Sequence, residues 1–260
     1  MLLAIDAGNT NTVFALFDGD TIVKQWRIST EEQRTSDEYM VWISQLMRLY
    51  DIEAGAITGA IIATVVPPTL WHLDRLCRDY FRCEPLVVGE TGCELGVEVR
   101  VPNPGEVGAD RLVNAVAGDR LYGAPLIIID FGTATTFDIV GQGGAYLGGV
   151  IAPGINLSLR ALHAAAAKLP RIAVAEPKTN RVTGLTTQEA MQSGVFWGYV
   201  GLIEGLVTRL KAEHSPDMRV LATGGLAGVF NNRTDRIDLV DRDLTMHGLR
   251  LIYDHNRAAS

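Results

Sequence analysis

At 260 residues, with 47% hydrophobic and 20% charged side chains, the chain has apolar material for one large or two medium cores. A net charge of −7 and a pI near 5.3 provide no basic stripe that could release counterions from nucleic acid, which excludes that class of partner. The chain enters a strand at Leu2 with no basic n-region or small-residue cleavage site, so no signal peptide is expected; no apolar run approaches the roughly 18–20 residues of a membrane span, and Cys77, Cys83 and Cys93 lack metal-ligand spacing. The expectation is a cytoplasmic protein with buried, reduced thiols and no membrane contact.

Leu2–Phe17 reads as a strand ending at Asp6, a turn holding Gly8, Asn9 and Thr10, and a returning strand. A turn at Asp18-Gly19-Asp20 leads to a third strand, Thr21–Ile28. The segment Thr30–Tyr50 carries Ser36 and Asp37 as caps, with Tyr39, Met40, Ile43, Leu46, Met47 and Tyr50 at helical spacing. Gly59–Val66 is a continuous apolar strand stopped by Pro67-Pro68, followed by a helix over Thr69–Phe81 and a strand over Pro85–Val88. Thr91–Val107, with glycines at 92 and 96 and prolines at 102 and 104, reads as a loop. It delivers Gly108-Ala109-Asp110-Arg111 to a helix, Arg111–Tyr122, with Leu112, Val113, Val116, Ala117 and Leu121 on its buried side and Asp110 at its cap.

The second half repeats the opening. Leu126–Val140 aligns without a gap to Leu2–Phe17 at an offset of 124: Asp130 with Asp6, Gly132 with Gly8, Thr133 with Asn9, Thr136 with Thr12. A turn at Gly141–Gly144 and a third strand, Ala145–Ile151, complete the parallel. An alanine-rich helix, Leu157–Lys168, a loop, Leu169–Gly184, and a long helix, Thr187–Glu213, come next. The glycines at 194, 198, 201 and 205 give that helix a nearly bare side, read as the seat of another closely packed helix. A strand, Arg219–Ala222, ends in Thr223-Gly224-Gly225, and a helix around Met246–Asn256 closes the chain. The pattern predicts a duplicated α/β fold, residues 1–121 and 122–260, with an Asp-bearing loop from each half facing a shared cleft.

Such loops suit phosphoryl transfer, which asks a protein chiefly for positioning and charge balance around phosphate oxygens and a metal ion. The Asp6–Thr10 turn offers backbone N–H groups opened by Gly8, donors on Asn9 and Thr10, and a carboxylate able to hold Mg²⁺ through water. Gly132 and Thr133 can grip the same phosphates, and Gly224-Gly225 can let a base or ribose lie against backbone. Asp110 reads equally as a helix cap and as a general base for an acceptor hydroxyl. The five histidines form no triad or metal set.

Together these motifs resemble those of type III pantothenate kinases. The similarity covers nearly the whole length, through Asp6–Thr10, Gly105–Arg111, Asp130–Thr136, Gly148–Gly154, Lys168-Leu169-Pro170 and Thr223-Gly224-Gly225. The resemblance implies an actin-like (ribonuclease H-like) two-domain fold, ATP-dependent phosphorylation of pantothenate as the first step of coenzyme A synthesis, a homodimer, and a need for K⁺ or NH₄⁺. By matching position it implies Asp6 for Mg²⁺ and phosphates, Asp110 as base, Arg111 as substrate holder and Gly108 and Ala109 as its backbone neighbours. It also implies Asp130 at the monovalent cation, Thr133 in the phosphate grip and Thr187 reaching pantothenate. Val101 stands where the family often has an aromatic residue, at the wall of the pantothenate pocket; Ala63-Thr64 and Leu185-Thr186 also depart from the usual pairs. Two other readings compete: a catalytically silent regulatory relative, and a kinase for another small hydroxylated substrate. Asp6, Asp110 and Asp130 speak against the first, and the Gly-Ala-Asp-Arg element against the second.

Overall fold

Consecutive apolar residues at the start of the chain, Leu2, Leu3, Ala4 and Ile5, bury both faces of a strand, and the first sheet grows from it. The computed structural model describes residues 1–165, 169–177 and 181–258. β1 (Leu2–Ala7) pairs antiparallel with β2 (Asn11–Asp18), which pairs with β3 (Thr21–Ser29). After α1 (Ser36–Arg48), β4 (Gly59–Thr64) returns parallel to β1; α2 (Pro67–Arg75) leads on to β5 (Pro85–Val87), giving the order β3-β2-β1-β4-β5.

Period-two alternation sends Leu3, Ile5, Phe14 and Leu16 to one face, against Tyr39, Ile43 and Met47 of α1 and Leu73 of α2. Leu2, Ala4, Val13 and Ala15 go to the other, against Val113 and Val116 of α3 (Ala109–Tyr122). The cap of α1 is Thr35 rather than Ser36 or Asp37: its hydroxyl accepts from the Glu38 N–H and the Glu38 carboxylate answers to the Thr35 N–H. Pro67 does not merely stop β4; it opens α2, where its missing N–H costs nothing. Leu121, expected on the buried side of α3, is 43% exposed.

The second sheet has the same plan. β6 (Leu126–Phe131), β7 (Ala134–Val140) and β8 (Tyr146–Pro153) form the antiparallel meander, α4 (Ile155–Ala165) and α5 (Thr187–Glu213) follow, and β9 (Arg219–Gly224) returns parallel to β6. A short α6 (Ala227–Phe230) precedes β10 (Leu239–Val240), so the order is β10-β9-β6-β7-β8. Ile127, Ile129, Phe137 and Ile139 pack on Phe196, Val200, Ile203 and Val207 of α5. The fold is a duplicated α/β fold, as the repeat predicted.

Two expectations change here. The compact units are Met1–Arg120 with the C-terminal helix α7 (Leu244–Ala258), and Leu121–Asp243. The last helix therefore belongs with the first sheet: Met246, Leu249 and Ile252 join its core, and Gly248 lies so close to α3 that a Cβ would stand 2.3 Å from the Val113 carbonyl oxygen. The gapless alignment also slips by one residue at the turn. Asp6 pairs with Val13, whereas Asp130 pairs with Thr136, so Thr12 corresponds in space to Thr135; both are fully buried. The first turn is one residue longer, and the one-residue register change keeps Phe14 and Phe137 on equivalent faces.

The bare side of α5 does not receive a helix from this chain among the described residues. Gly194, Gly198 and Gly201 have nothing within 4 Å of where a Cβ would stand, and only the Arg209 guanidinium, 3.3 Å away, approaches Gly205. The Lys168 end of the expected helix and motif lies outside the described residues.

Candidate active site

In the first unit the Asp6 carboxylate stands near the C-terminal end of β1, half-buried, with exposed Asn9 and Thr10 beyond it. The turn is shaped by Thr30, a residue that sequence reasoning passed over as the start of a helical segment. Thr30 Oγ1 donates to the Gly8 carbonyl at 2.6 Å, its N–H donates to the Thr10 carbonyl at 3.0 Å, and Thr12 Oγ1 lies 2.9 Å from its hydroxyl. One proton per hydroxyl makes Thr12 the donor in that last contact. The Gly8 N–H is bonded inside the turn to the Asn11 carbonyl at 3.0 Å, so Gly8 shapes the loop and does not present its own N–H to a phosphate.

The Gly-Ala-Asp-Arg element reaches the same edge of this sheet. Val65, just past β4, donates its N–H to the Ala7 carbonyl at 3.1 Å, and its Cγ1 lies 3.4 Å from where a Gly108 Cβ would stand. That Cβ would also lie 2.6 Å from Asp110 Oδ1, so glycine at 108 leaves the carboxylate its place. Asp110 sits inside the first turn of α3 rather than at its cap. The helix starts at Ala109, with the Arg111 and Leu112 N–H groups reaching the Gly108 carbonyl, while Asp110 Oδ1 accepts from the Arg111 N–H at 2.8 Å. Burial pushes the Asp110 carboxyl above its ordinary value, against the opposing pull of the Arg111 N–H and guanidinium. A carboxyl tuned upward is better matched to taking a proton. Val101 is half-buried in the loop before Pro104.

In the second unit Asp130 ends β6 in the same way, and Gly132 and Thr133 lie exposed at the tip of the β6–β7 turn. Two glycines confine this turn. A Cβ on Gly154 would meet the Thr133 carbonyl oxygen at 2.1 Å, and one on Gly224 would meet Asp130 Oδ1 at 2.5 Å. The reason for Gly224 is thus Asp130, whereas Gly225 has open space around it and is the one of the pair that a ligand can approach. Thr187 is the exposed first residue of α5, behind a capping box of Thr186 and Glu189. Sequence reasoning also missed Asp138, fully buried on β7, and Tyr146, whose hydroxyl donates to it at 2.9 Å.

Among the described residues no three or more His, Cys, Asp or Glu side chains are grouped to hold a metal. A lone strand-end carboxylate such as Asp6 suffices for an ion like Mg²⁺, which keeps most of its waters and takes one or two carboxylates beside substrate phosphates. No described helix is long and apolar enough to cross a membrane.

The family model described as type III pantothenate kinase matches residues 2–209. A type III pantothenate kinase of Paramagnetospirillum magneticum is 58% identical, with 98% of each chain covered, and one of Caulobacter vibrioides is 57% identical over 100% of this chain and 99% of its own. Among solved structures, the ethanolamine utilization protein EutJ of Carboxydothermus hydrogenoformans superposes with a TM-score of 0.56 at 14% identity, over 96% of this chain and 89% of its own; that likeness concerns the fold alone. With a family match over most of its length and full-length relatives above half identity, the chain belongs to the type III pantothenate kinase family.

Proposed function

We propose that this chain phosphorylates pantothenate from ATP, the first step of coenzyme A synthesis, with Asp110 as the base that takes the proton of the attacking hydroxyl. The observation that carries the residue assignment is the setting of Asp110: a carboxylate given room by Gly108, raised by burial and neighboured by Arg111. Arg111 holds the substrate's carboxylate by paired N–H donors. Gly108 and Ala109 supply backbone contact to pantothenate, and the family resemblance assigns Val101 and Thr187 to the same substrate.

Asp6 holds Mg²⁺, which supplies charge neutralisation at the phosphates. Asn9, Thr10, Gly132 and Thr133 position the phosphate oxygens, and Gly225 lets the nucleoside approach backbone, with Gly224 giving Asp130 its place. Because the chemistry of phosphoryl transfer is chiefly positioning, these small turns can carry most of it. Asp130 holds a monovalent cation, K⁺ or NH₄⁺. The residues around it fit such an ion: beside Asp130 on β9, the buried Thr223 Oγ1 has no hydrogen-bond partner.

The protein works as a cytoplasmic homodimer in this reading. The open glycine edge of α5 supports it, since bare backbone at Gly194, Gly198 and Gly201 allows close approach of a second helix. The experiment that tests the activity is product identification: incubation with ATP, Mg²⁺, K⁺ and pantothenate yields a species heavier than pantothenate by one phosphoryl group. Unchanged pantothenate, with a folded protein that binds ATP, would refute the assignment.

A further inference from the structure

We infer that Thr136 and Thr223 are oxygen ligands of the monovalent cation beside Asp130, and that buried Asp138 is a positioning residue that holds the Thr136 hydroxyl for it. The inference rests on the assignment of Asp130 to that cation.

Three adjacent strands put three oxygen-bearing side chains in a row. Asp130 pairs with Thr136 across β6–β7 and with Thr223 across β6–β9. Paired residues project from one face with Cβ atoms roughly 4.5–5.5 Å apart, so the carboxylate is flanked by two hydroxyls. The Thr136 hydroxyl donates to Asp138 Oδ2 at 2.9 Å, and the other carboxylate oxygen of Asp138 accepts from Tyr146 at 2.9 Å. A hydroxyl owns one proton. With that proton held by Asp138, Thr136 has only lone pairs to offer on the face it shares with Asp130.

Thr223 points to the same conclusion independently. Its residue is 1% exposed, and its hydroxyl has no hydrogen-bond partner. An unpartnered buried hydroxyl and a lone pair beside a carboxylate are each unfavourable alone, and one positive ion relieves both. One carboxylate with two neutral oxygens suits a monovalent ion, whose sites are built largely from neutral oxygens, better than Ca²⁺, which gathers several carboxylates. Asp138 then acts as outer-shell partners of metal ligands do, by fixing the orientation of a ligating group.

The test titrates KCl at constant ionic strength against choline chloride and reads two quantities: the melting temperature of the substrate-free protein, and pantothenate-dependent ADP release. The wild type melts higher in K⁺ and is activated saturably. Thr136→Val, Thr223→Val and Asp138→Asn each raise the K⁺ concentration for half-maximal response about tenfold or more in both readouts. At saturating K⁺ their KM values for ATP and pantothenate stay within about twofold of wild type. Thr223→Val keeps the branched shape and removes an unpartnered hydroxyl, so it melts no lower than wild type in choline and carries the test even if Asp138→Asn fails to fold. If the wild type responds to K⁺ and the variants titrate as it does, the two threonines and Asp138 lie outside the site while the Asp130 assignment stands. If the wild type shows no K⁺ response in either readout, both fall together.

Discussion

Gly224 and Asp130 occupy space that only one side chain can fill: a Cβ on Gly224 would stand 2.5 Å from Asp130 Oδ1 and 2.8 Å from both the N and the O of Phe131. Gly224 also holds φ +86°, where an L-residue is strained. The last residue of β9 therefore sets where the carboxylate at the end of β6 can lie. Gly224→Ala should cost about 1–3 kcal/mol by chemical denaturation and weaken the response to K⁺. A variant as stable as wild type would show that the two strand ends part easily.

Gly154 restrains the neighbouring turn through backbone, since its absent side chain would fall 2.1 Å from the Thr133 carbonyl oxygen. Gly154→Ala must move the Gly132–Thr133 tip. It should raise KM for ATP about tenfold or more, with the KM for pantothenate changed much less. Equal changes in both would mean that this turn does not serve the phosphates in particular.

Asp110→Asn should keep ATP binding and lower kcat by about 10²–10⁴, the range of a lost general base. Because burial raises the folded-state pKa of Asp110, its ionisation opposes folding. The favourable contribution of the neutral acid is complete below the unfolded value of 3.8 and is lost as pH rises through the higher folded value. At pH 7 the Asn variant should therefore melt no lower than wild type, and below the folded pKa the two should converge. An Asn variant that turns over normally would reduce Asp110 to a helix-terminus acceptor.

Thr30 ties the Asp6–Thr10 turn by its hydroxyl to the Gly8 carbonyl and by its N–H to the Thr10 carbonyl, and accepts from the Thr12 hydroxyl. Thr30→Val removes the bond to the Gly8 carbonyl and should cost about 1 kcal/mol of stability while raising KM for ATP several-fold. An unaltered KM for ATP would separate this hairpin from the nucleotide.

The duplication was legible because each hairpin repeats an apolar run, an Asp, a Gly and small polar residues, and buried strands have little latitude in sequence. Asp6 and Asp130 could be picked out for the same reason, and the Gly108–Arg111 element through its resemblance to the family's motif. The one-residue register slip could not, since Thr135 and Thr136 are adjacent threonines and only pairing tells which one is buried opposite Phe131. Nor could the home of α7, whose apolar face would suit either sheet; the close approach of Gly248 to Val113 and of Gly59 to Tyr253 decides it. Thr30 was hidden because it acts on Gly8 and Thr10, distant in sequence, and the settings of Asp138 and Thr223 because strand pairing alone reveals them. An ordinary strand threonine and a buried carboxylate look unremarkable until the sheet pairs Thr223 with Asp130 and brings Asp138 to the Thr136 hydroxyl.

The most direct measurement is ADP release by the purified protein with ATP, Mg²⁺ and K⁺, in the presence and absence of pantothenate. The account predicts release that depends on pantothenate, saturates with it and is nearly abolished in Asp110→Asn. Release that is the same without pantothenate, or none at all from folded protein that binds ATP, would contradict it.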